Sequence, residues 1–588
     1  MNKSFTRKPR WRALARQALK TFPVVSRRVL VLWLVFAMAG SMVARATYLQ
    51  LVHNDFLQEQ GNERFLRVVE VPAHRGMILD RNGEPLAVSS PVDSIWAEPS
   101  ELLRQRERWP SLAAALKLPL SELEEKLAGR DDSKFAYLRR HLAPNLAQQV
   151  LKLKIPGVHA KREYRRYYPD AEVTSHLLGF TDIDDAGQEG LEKAFDPQLK
   201  GIPGRKRVIQ DRMARIVEDV ENVQAPQPGK PVVLSIDRRL QYLAYRALKT
   251  AVAENKASAG AAVIVDARTG EVLAMVSQPA GNPNNRAELH SELLRNRAIT
   301  DVYEPGSTVK PFTAALGLES GKWSPGTRVS TSPMMIGRYS VRDTHNYGVL
   351  DVTRIISKSS NVGVSKIALS MPAQKLWQLY QDLGFGSQTK AAAWDGEQSG
   401  VLRHFSKWGE IGHATHSFGY GFSVTILQLA EAYTVLAADG MRRPLTLRKR
   451  EGPLGPDEQE RVLNASAVRQ VRAMMEQVIS ERGTGLKADV PGYRVAGKTG
   501  TARKISGGRY ISNRHVALFA GLVPASDPRL VMTVLIDDPK GGAYYGGTVA
   551  APVFSKTMGA VLRIMNITPD DMPSMKIAGT VQPVGALP

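Results

Sequence analysis

The chain reads as an α+β protein tethered by a single N-terminal transmembrane helix, and three observations predict this. Strand-like segments stand at both ends of the C-terminal part, around 232–276 and 494–536, with helical patterns between them. One sheet must then join distant parts of the sequence. Before about residue 225 the chain is instead a patchwork of short strands, turns and small helices, and near its start lies one uncharged, mostly apolar run, residues 29–44.

At 588 residues the chain is too long for one ordinary domain, and two to four units are expected. A hydrophobic content of 43% and a charged content of 23% are those of a globular protein. The formal net charge is +22, yet residues 1–54 hold ten Lys and Arg and no acid, the first being Asp55. Nearly half of the excess sits in a leader, which removes most of the case for nucleic-acid binding. The absence of cysteine excludes disulfides and cysteine metal sites and fits a periplasmic setting.

The leader carries a membrane signal. Arg27 and Arg28 precede the apolar run, whose sixteen residues fall short of a full span, and apolar character resumes beyond Arg45 through Tyr48, Leu49, Leu51 and Val52. An arginine near a helix end can extend its head to the interface. Residues 29–52 are therefore read as an uncleaved anchor, with nine basic residues upstream holding the N-terminus in the cytoplasm. The rival is a cleaved signal peptide, since Ala44-Arg45-Ala46 has the small-x-small form, but Arg45 would lie inside the cleavage site.

Arg75-Gly-Met-Ile-Leu-Asp80 reads as a strand entering an Asn82-Gly83 turn. Ser121-Glu-Leu-Glu124 has the form of a capping box, with Gly129 to close its helix. Tyr164-Arg-Arg-Tyr-Tyr168-Pro169 is read as a partly exposed loop or edge, and Ala225-Pro-Gln-Pro-Gly229 as a linker. Beyond it come a strand at 232–236 and a helix capped by Asp237, with an apolar face of Leu240, Leu243, Ala244, Ala247 and Leu248. Strands at 261–266 and 271–276 flank the turn Ala267-Arg-Thr-Gly270. Thr425-Ile-Leu-Gln428 is a second capping box, with Gly440 ending its helix. Strands at 494–501, 517–522 and 530–536 follow, and the composition after about 566 is that of a loose tail.

Three short strings carry chemistry: Ser307-Thr-Val-Lys310, Ser359-Ser-Asn361 52 residues later, and Lys498-Thr-Gly500 a further 139 on. Singly each has a bland reading: a helix cap with a solvated lysine, a turn, a hairpin. A second S-x-x-K, Ser387-Gln-Thr-Lys390, shows how cheap one string is. Order and context lift the set. Glu304-Pro-Gly306 is a turn and Pro311 belongs in a first helical turn, so Ser307 opens a helix with Lys310 on the same face. A helix start also offers free N–H groups for an oxyanion.

A lysine is a base only when neutral, and lowering its pKa by ~3 units corresponds to about 4 kcal/mol of differential stabilisation. Burial and a second cation are the usual means. Lys498 is the candidate cation, Ser359 a proton relay between the lysines, and Asn361 an amide to hold a substrate peptide group. The glycines around Lys498 suit an edge strand on which an extended peptide lies. Thr499 and Thr501 offer hydroxyls for a carboxylate. His413 and His416, three apart, lack a third ligand, so no metal is assigned to them.

With these residues in view the chain resembles the class B penicillin-binding proteins, most closely their division-specific FtsI type. The likeness covers nearly the whole chain. Its motifs are Arg75-Gly-Met-Ile-Leu-Asp-Arg-Asn-Gly83, Gly179-Phe-Thr-Asp182, Gly190-Leu-Glu192, Glu304-Pro-Gly-Ser-Thr-Val-Lys-Pro311 and Lys358-Ser-Ser-Asn-Val-Gly363. It continues through Phe418-Gly-Tyr-Gly421, Ala496-Gly-Lys-Thr-Gly-Thr-Ala502 and Tyr544-Tyr-Gly-Gly547, departing at Ile426, where proline is expected.

The resemblance implies a basic cytoplasmic tail (1–28), an anchor (29–52), an elongated β-rich non-catalytic pedestal (53–225), a transpeptidase domain of serine β-lactamase-like fold (226–565) and a flexible C-terminal tail (566–588). It implies catalysis by Ser307, Lys310, Ser359 and Lys498, and substrate binding by Asn361, Thr499, Gly500 and Thr501. The oxyanion hole would be the backbone N–H groups of Ser307 and Thr501. Stem peptides and β-lactams would be the ligands, with no cofactor, no metal and no nucleic acid. Division proteins, including a lipid II glycan polymerase, would be partners at the inner membrane, with the catalytic domain periplasmic. An elongation-type transpeptidase, a β-lactam sensor or hydrolase, and a non-catalytic division scaffold are the alternatives.

Overall fold

The computed structural model describes residues 24–52, 66–131, 133–210, 216–392, 394–506 and 509–571. It divides into two compact units, 1–71 with 203–226, and 72–202 with 227–588. In the first, helix α1 (Val24–Thr47) runs into a single π turn, Tyr48–Val52. Its apolar span Arg27–Leu51 has 25 residues, none buried. At about 1.5 Å per residue that is long enough for a hydrocarbon layer of about 30 Å. The same unit holds an antiparallel sheet of Leu66–Val71, Gly204–Gln210 and Ile216–Gln224, in that order. Most of the expected basic tail lies outside the described residues.

The second unit opens with β1 (Ile78–Leu79) and β2 (Pro85–Ala97), joined by the expected turn. Asp80 Oδ1 accepts from the N–H groups of Asn82 at 2.7 Å and Glu84 at 2.9 Å, and Gly83 takes φ +88°. Helices α2 (Trp109–Leu116) and α3 (Leu120–Leu127), strand β3 (Ala136–Leu142), helix α4 (Pro144–Lys152) and strand β4 (Val158–Tyr167) follow. Residues 93–97 of β2 pair with β3 on one side and β4 on the other, over a small core of Ile95, Leu112, Leu116, Leu123, Leu138 and Val150.

Here the capping expectation at Ser121 is corrected. Pro119, extended at φ −59° and ψ 142°, is the cap residue, so α3 starts at Leu120 and Ser121 lies inside its first turn. The Tyr164–Pro169 stretch is edge strand, as one reading had it, but Arg166 and Tyr168 within it are buried. Arg166 Nε donates to Glu192 at 2.6 Å, and Arg75 donates to Glu192 at 2.9 Å and Asp196 at 2.6 Å. Two of the recognised motifs thus meet in one buried ionic network.

Helix α5 (Arg238–Glu254) is capped by Asp237, whose side chain accepts from the N–H of Arg239. Strands β5 (Ala259–Asp266) and β6 (Val272–Gln278) form the expected hairpin, with Gly270 at φ +72°. Helices α6 (Lys310–Glu319), α7 (Val352–Lys358), α8 (Asn361–Leu369) and α9 (Ile426–Ala437) come next. Strands β7 (Ala496–Ser506), β8 (Arg509–Val523) and β9 (Leu530–Asp537) and helix α10 (Ala551–Ile564) complete the unit. The sheet runs β6-β5-β9-β8-β7, antiparallel throughout, with Leu530 opposite Asp266. Distant segments are joined as the pattern predicted, and β7 is an edge.

Side-chain alternation along β5 splits the core in two. Ala262 and Ile264 pack with Leu240, Leu248 and Phe554 of α5 and α10, while Ala261, Val263 and Val265 pack with the α9 layer. Every residue of α9 is buried; it is apolar apart from Gln428, Glu431 and Thr434, and Glu431 is paired with Arg442 at 2.9 Å. Its capping box is complete, with Thr425 and Gln428 bonding each other's backbone.

Three further expectations are corrected. The strand expected at 232–236 pairs only over Val232–Val233, because Leu234 bridges to Arg448 instead. The segment read as a loose linker is clamped: Gln227 exchanges two backbone bonds with Ile202 at 2.9 Å, and the N–H of Gly229 donates to His74 O. A Cβ on Gly229 would stand 1.7 Å from Leu199 O. The expected loose tail stays docked through Asp571, since Asp570 accepts from Arg494 N at 2.7 Å and Ser526 Oγ at 2.7 Å. The rest of that tail lies outside the described residues.

Candidate active site

Ser307 lies in a 3₁₀ turn, Gly306–Val309, that leads directly into α6, with Pro311 in the first turn of that helix. Its N–H is one of the donors that a helix start leaves without an intrahelical acceptor. The turn is packed from two sides. A Cβ on Gly419, at φ +87°, would stand 2.1 Å from Gly306 O, and one on Gly500 would stand 2.8 Å from Thr308 Cγ2. The glycines of the Phe418–Gly421 and Lys498–Gly500 motifs therefore let two backbones close on the serine turn.

Lys310 and Lys498 are both fully buried. Lys310 Nζ donates to Ser359 O at 2.5 Å, Ser359 Oγ at 3.1 Å and Asn361 Oδ1 at 2.7 Å. Lys498 Nζ reaches the same Ser359 Oγ at 2.9 Å. One hydroxyl thus stands between two amines. Burial pushes the Lys498 pKa down to about 7. Burial and then the charge of Lys498 push Lys310 well below the ordinary lysine range, with Asp343 opposing.

Ser359 ends α7 in the left-handed region, at φ 63° and ψ 39°. For a serine this costs about 1–2 kcal/mol, so the surroundings must hold it there. Asp343 supplies the hold. Its Oδ1 accepts from Asn361 N at 2.5 Å and Val362 N at 3.0 Å, and its Oδ2 from Ser360 Oγ at 2.5 Å. Ser360 in turn caps α8 through the N–H of Gly363.

The structure brings Lys310, Ser359, Asn361 and Lys498 into one bonded cluster, with Ser307 one turn from Lys310. Among the described residues the Ser307 hydroxyl has no hydrogen-bond partner, and the Lys310 amine is engaged by Ser359 and Asn361. Thr499 and Thr501, two apart on β7, share a strand face. Thr499 Oγ1 lies 2.8 Å from Thr484 Oγ1, and Thr501 Oγ1 accepts from Gly546 N at 3.1 Å. Ser387 and Lys390, the decoy, are exposed on a loop outside this cluster. His416 is stacked on Trp408 at 3.9 Å with its Nδ1 2.7 Å from Gly412 O.

Two participants were not singled out from the sequence. Asp343 serves residues 17 to 19 positions away, so no short motif contains it. Glu304 lies within a quoted motif but had no role. It accepts from Gly421 N at 2.8 Å and from Tyr510 Oη at 3.1 Å, tying the serine turn to the 418–421 loop and to the start of β8.

A family model described as the penicillin-binding protein transpeptidase domain matches residues 260–559, and one described as the penicillin-binding protein dimerisation domain matches 70–234. The peptidoglycan D,D-transpeptidase FtsI of Escherichia coli is 46% identical over 535 residues, 90% of each chain. This chain belongs to the class B penicillin-binding proteins, of the FtsI type. Other relatives include the probable peptidoglycan D,D-transpeptidase PenA of Neisseria gonorrhoeae, 41% identical over 96% of this chain and 97% of its own. PbpC of Pseudomonas aeruginosa, with the same description, is 40% identical over 93% and 96%. Among solved structures, the transpeptidase domain of Burkholderia pseudomallei penicillin-binding protein 3 is 41% identical with a TM-score of 0.53, covering 58% of this chain and 98% of that one. A peptidoglycan synthetase from Bifidobacterium adolescentis, 23% identical with a TM-score of 0.68 over 87% and 98%, shares the fold.

Proposed function

We infer that this protein is a peptidoglycan D,D-transpeptidase of septal wall synthesis and a target of β-lactams. The observation that carries the chemistry is the Ser359 hydroxyl set between two buried lysine amines, 3.1 Å from Lys310 and 2.9 Å from Lys498. Lys310, whose pKa burial and the charge of Lys498 push well below the ordinary lysine range, takes the proton of Ser307 as its oxygen attacks the carbonyl of the penultimate D-Ala. The N–H groups of Ser307 and Thr501 receive the oxyanion. Ser359 passes the proton on to the leaving D-Ala amine, and the peptide C–N bond breaks to leave an ester on Ser307. An amine of a neighbouring strand then attacks that ester, forming the cross-link and freeing the serine. Asn361 holds the peptide group, the free edge of β7 pairs with its backbone, and Thr499, Gly500 and Thr501 seat the terminal carboxylate.

The same reading makes α1 a single-pass anchor with the N-terminus cytoplasmic and everything from residue 53 onward periplasmic. It makes 53–225 a pedestal on which division proteins, including a lipid II glycan polymerase, dock, and 226–565 the catalytic domain. Intact-mass analysis after benzylpenicillin tests it. One acyl group is expected, absent in Ser307→Ala and retained in Ser387→Ala. A label that survives in Ser307→Ala would overturn the assignment.

A further inference from the structure

We propose that the groove between β4 and the 283–286 loop binds a side-chain carboxylate of an extended acidic protein segment. The groove has a volume of 290 Å³, and its lining includes His141, Tyr164, Arg165, Arg166, Asp185 and Arg286. None of these residues belongs to the site above, and the inference stands apart from the transpeptidase reading.

Arg166 is 4% exposed. Its Nε is engaged by Glu192 at 2.6 Å and its Nη1 by Ser89 at 3.2 Å, while its Nη2 is buried without a partner. An unsatisfied buried guanidinium donor is costly, and a carboxylate is its best acceptor. His141 Nε2, on the same wall, makes no hydrogen bond and has Glu163 Oε2 at 3.8 Å. Arg165 and Arg286 stand exposed at the rim; Arg165 Nη2 donates to Asn284 O at 3.3 Å, and Arg286 Nη2 donates to Thr181 O and, at 3.0 Å, to Asp182 O.

Of the two acids of the groove, Asp182 is engaged by its own loop, whereas Asp185 keeps one buried oxygen, Oδ1, without a hydrogen-bond partner. Asp182 accepts from the N–H groups of Asp184 and Ala186, both at 2.9 Å, and from the Gln188 amide at 3.0 Å. Asp185 accepts from Ser89 at 3.1 Å, and burial pushes its pKa up to about 6. With Arg166 paired to Glu192 behind the lining, the three arginines and two aspartates of the groove balance, and the cations nearest solvent are Arg165 and Arg286 at the mouth.

The strand edge beside the groove argues that the carboxylate belongs to a protein. β4 pairs with β2 alone, and among the described residues no strand covers its other edge. Just past the end of β4, Asn284 mimics such a partner: its Oδ1 accepts from Tyr168 N at 3.0 Å and its Nδ2 donates to Tyr168 O at 2.9 Å. A segment added alongside residues 159–166 would run to the groove mouth and place an acidic side chain there. The competing account is that the basic edge only deters unwanted strand pairing.

Titration calorimetry on the full chain in detergent, with N-acetylated hexa-L-glutamate as probe, separates these. Binding is expected, weakened at least tenfold in Arg165→Glu and in Arg286→Glu, and unchanged in Arg104→Glu, an exposed arginine elsewhere on the same part of the chain. Arg165→Lys is expected to bind within threefold of the parent, and thermal melts of each variant check its folding. Hexa-D-glutamate and a disaccharide tetrapeptide from cell wall should each bind at least tenfold more weakly. No binding, an equal loss in Arg104→Glu, or equal or tighter binding of either control ligand overturns the proposal.

Discussion

Two lysine amines buried against one serine hydroxyl are held there at a cost to the fold. Lys498 has a pKa of about 7 in the folded chain against an ordinary value of 10.5. Between these values the unfolded chain binds a proton that the folded chain does not, so stability rises with pH through that window. Below pH 7 the cost is at its full size. Lys498→Met keeps the volume and removes the charge, and is expected to stabilise the protein by about 1–3 kcal/mol near pH 7 while abolishing acylation. The gain should shrink toward pH 10. Paired thermal melts across that range check it, and a variant no more stable than its parent at pH 7 refutes it. Asp343 acts by position. Asp343→Ala frees three donors and releases the strained Ser359, and acylation by a fluorescent penicillin should slow by about 100-fold, the scale of a small misplacement of reacting groups. Stability should fall by about 2–4 kcal/mol, since Ser360 and Val362 are fully buried and their donors lose their acceptor. An unchanged acylation rate would remove Asp343 from the machinery.

At the scale of elements, what was legible depended on how local the cause was. Asp237 and Thr425 cap the helices that follow them through their own neighbours, and both were readable for that reason. The α3 start was misread because Pro119 and Ser121 offer competing entries two residues apart, and the fixed φ of proline prevails. Ile426 stands at the first helical position, where proline is merely favoured, so its departure from the family pattern leaves the helix intact. The three strings whose Lys310, Ser359, Asn361 and Lys498 meet in the candidate site were legible through order and spacing. Asp343 was not, since its contacts arise only when two loops fold together. The linker misreading has the same origin: proline and glycine mark a turn in sequence equally well whether it is loose or, as at Gly229, packed without room for a Cβ. The Arg75–Glu192–Arg166 network is likewise a product of tertiary folding, and it offers an element-scale prediction. Glu192 is fully buried, so Glu192→Ala leaves two guanidinium groups facing each other without their shared acceptor. Unfolding of the 72–202 region should become easier by about 3–5 kcal/mol. Acylation at low temperature should survive, because no residue of the proposed site lies there. Limited proteolysis beside penicillin labelling reads both, and loss of labelling without new cleavage contradicts the separation.

At the scale of the whole molecule the question is which wall-building machine this enzyme serves. Over a quarter of the chain, the stretch read as a pedestal, supplies no residue of the proposed site, and the membrane helix confines the protein to the plane where septal or side-wall precursors are made. The clamped joint at Gln227 and Gly229 means that residues 72–202 are not free to swing on that segment as an independent tether. A partner bound to them therefore presses on structure continuous with the catalytic part, which suits regulation by docking more than passive spacing. Replacing the pedestal with that of an elongation-type relative would break those contacts, so depletion in the intact cell is the cleaner test. In a cell with no second copy, depletion should produce filaments that elongate without dividing, and a fluorescent fusion should gather at mid-cell. Where another septal transpeptidase is present, the same phenotype should appear only when that copy is depleted as well, and this chain should then restore division while Ser307→Ala does not. Round cells on depletion, with the fusion spread along the side wall, would assign the enzyme to elongation. Restoration of division by Ser307→Ala would make it a scaffold whose chemistry the septum does not need.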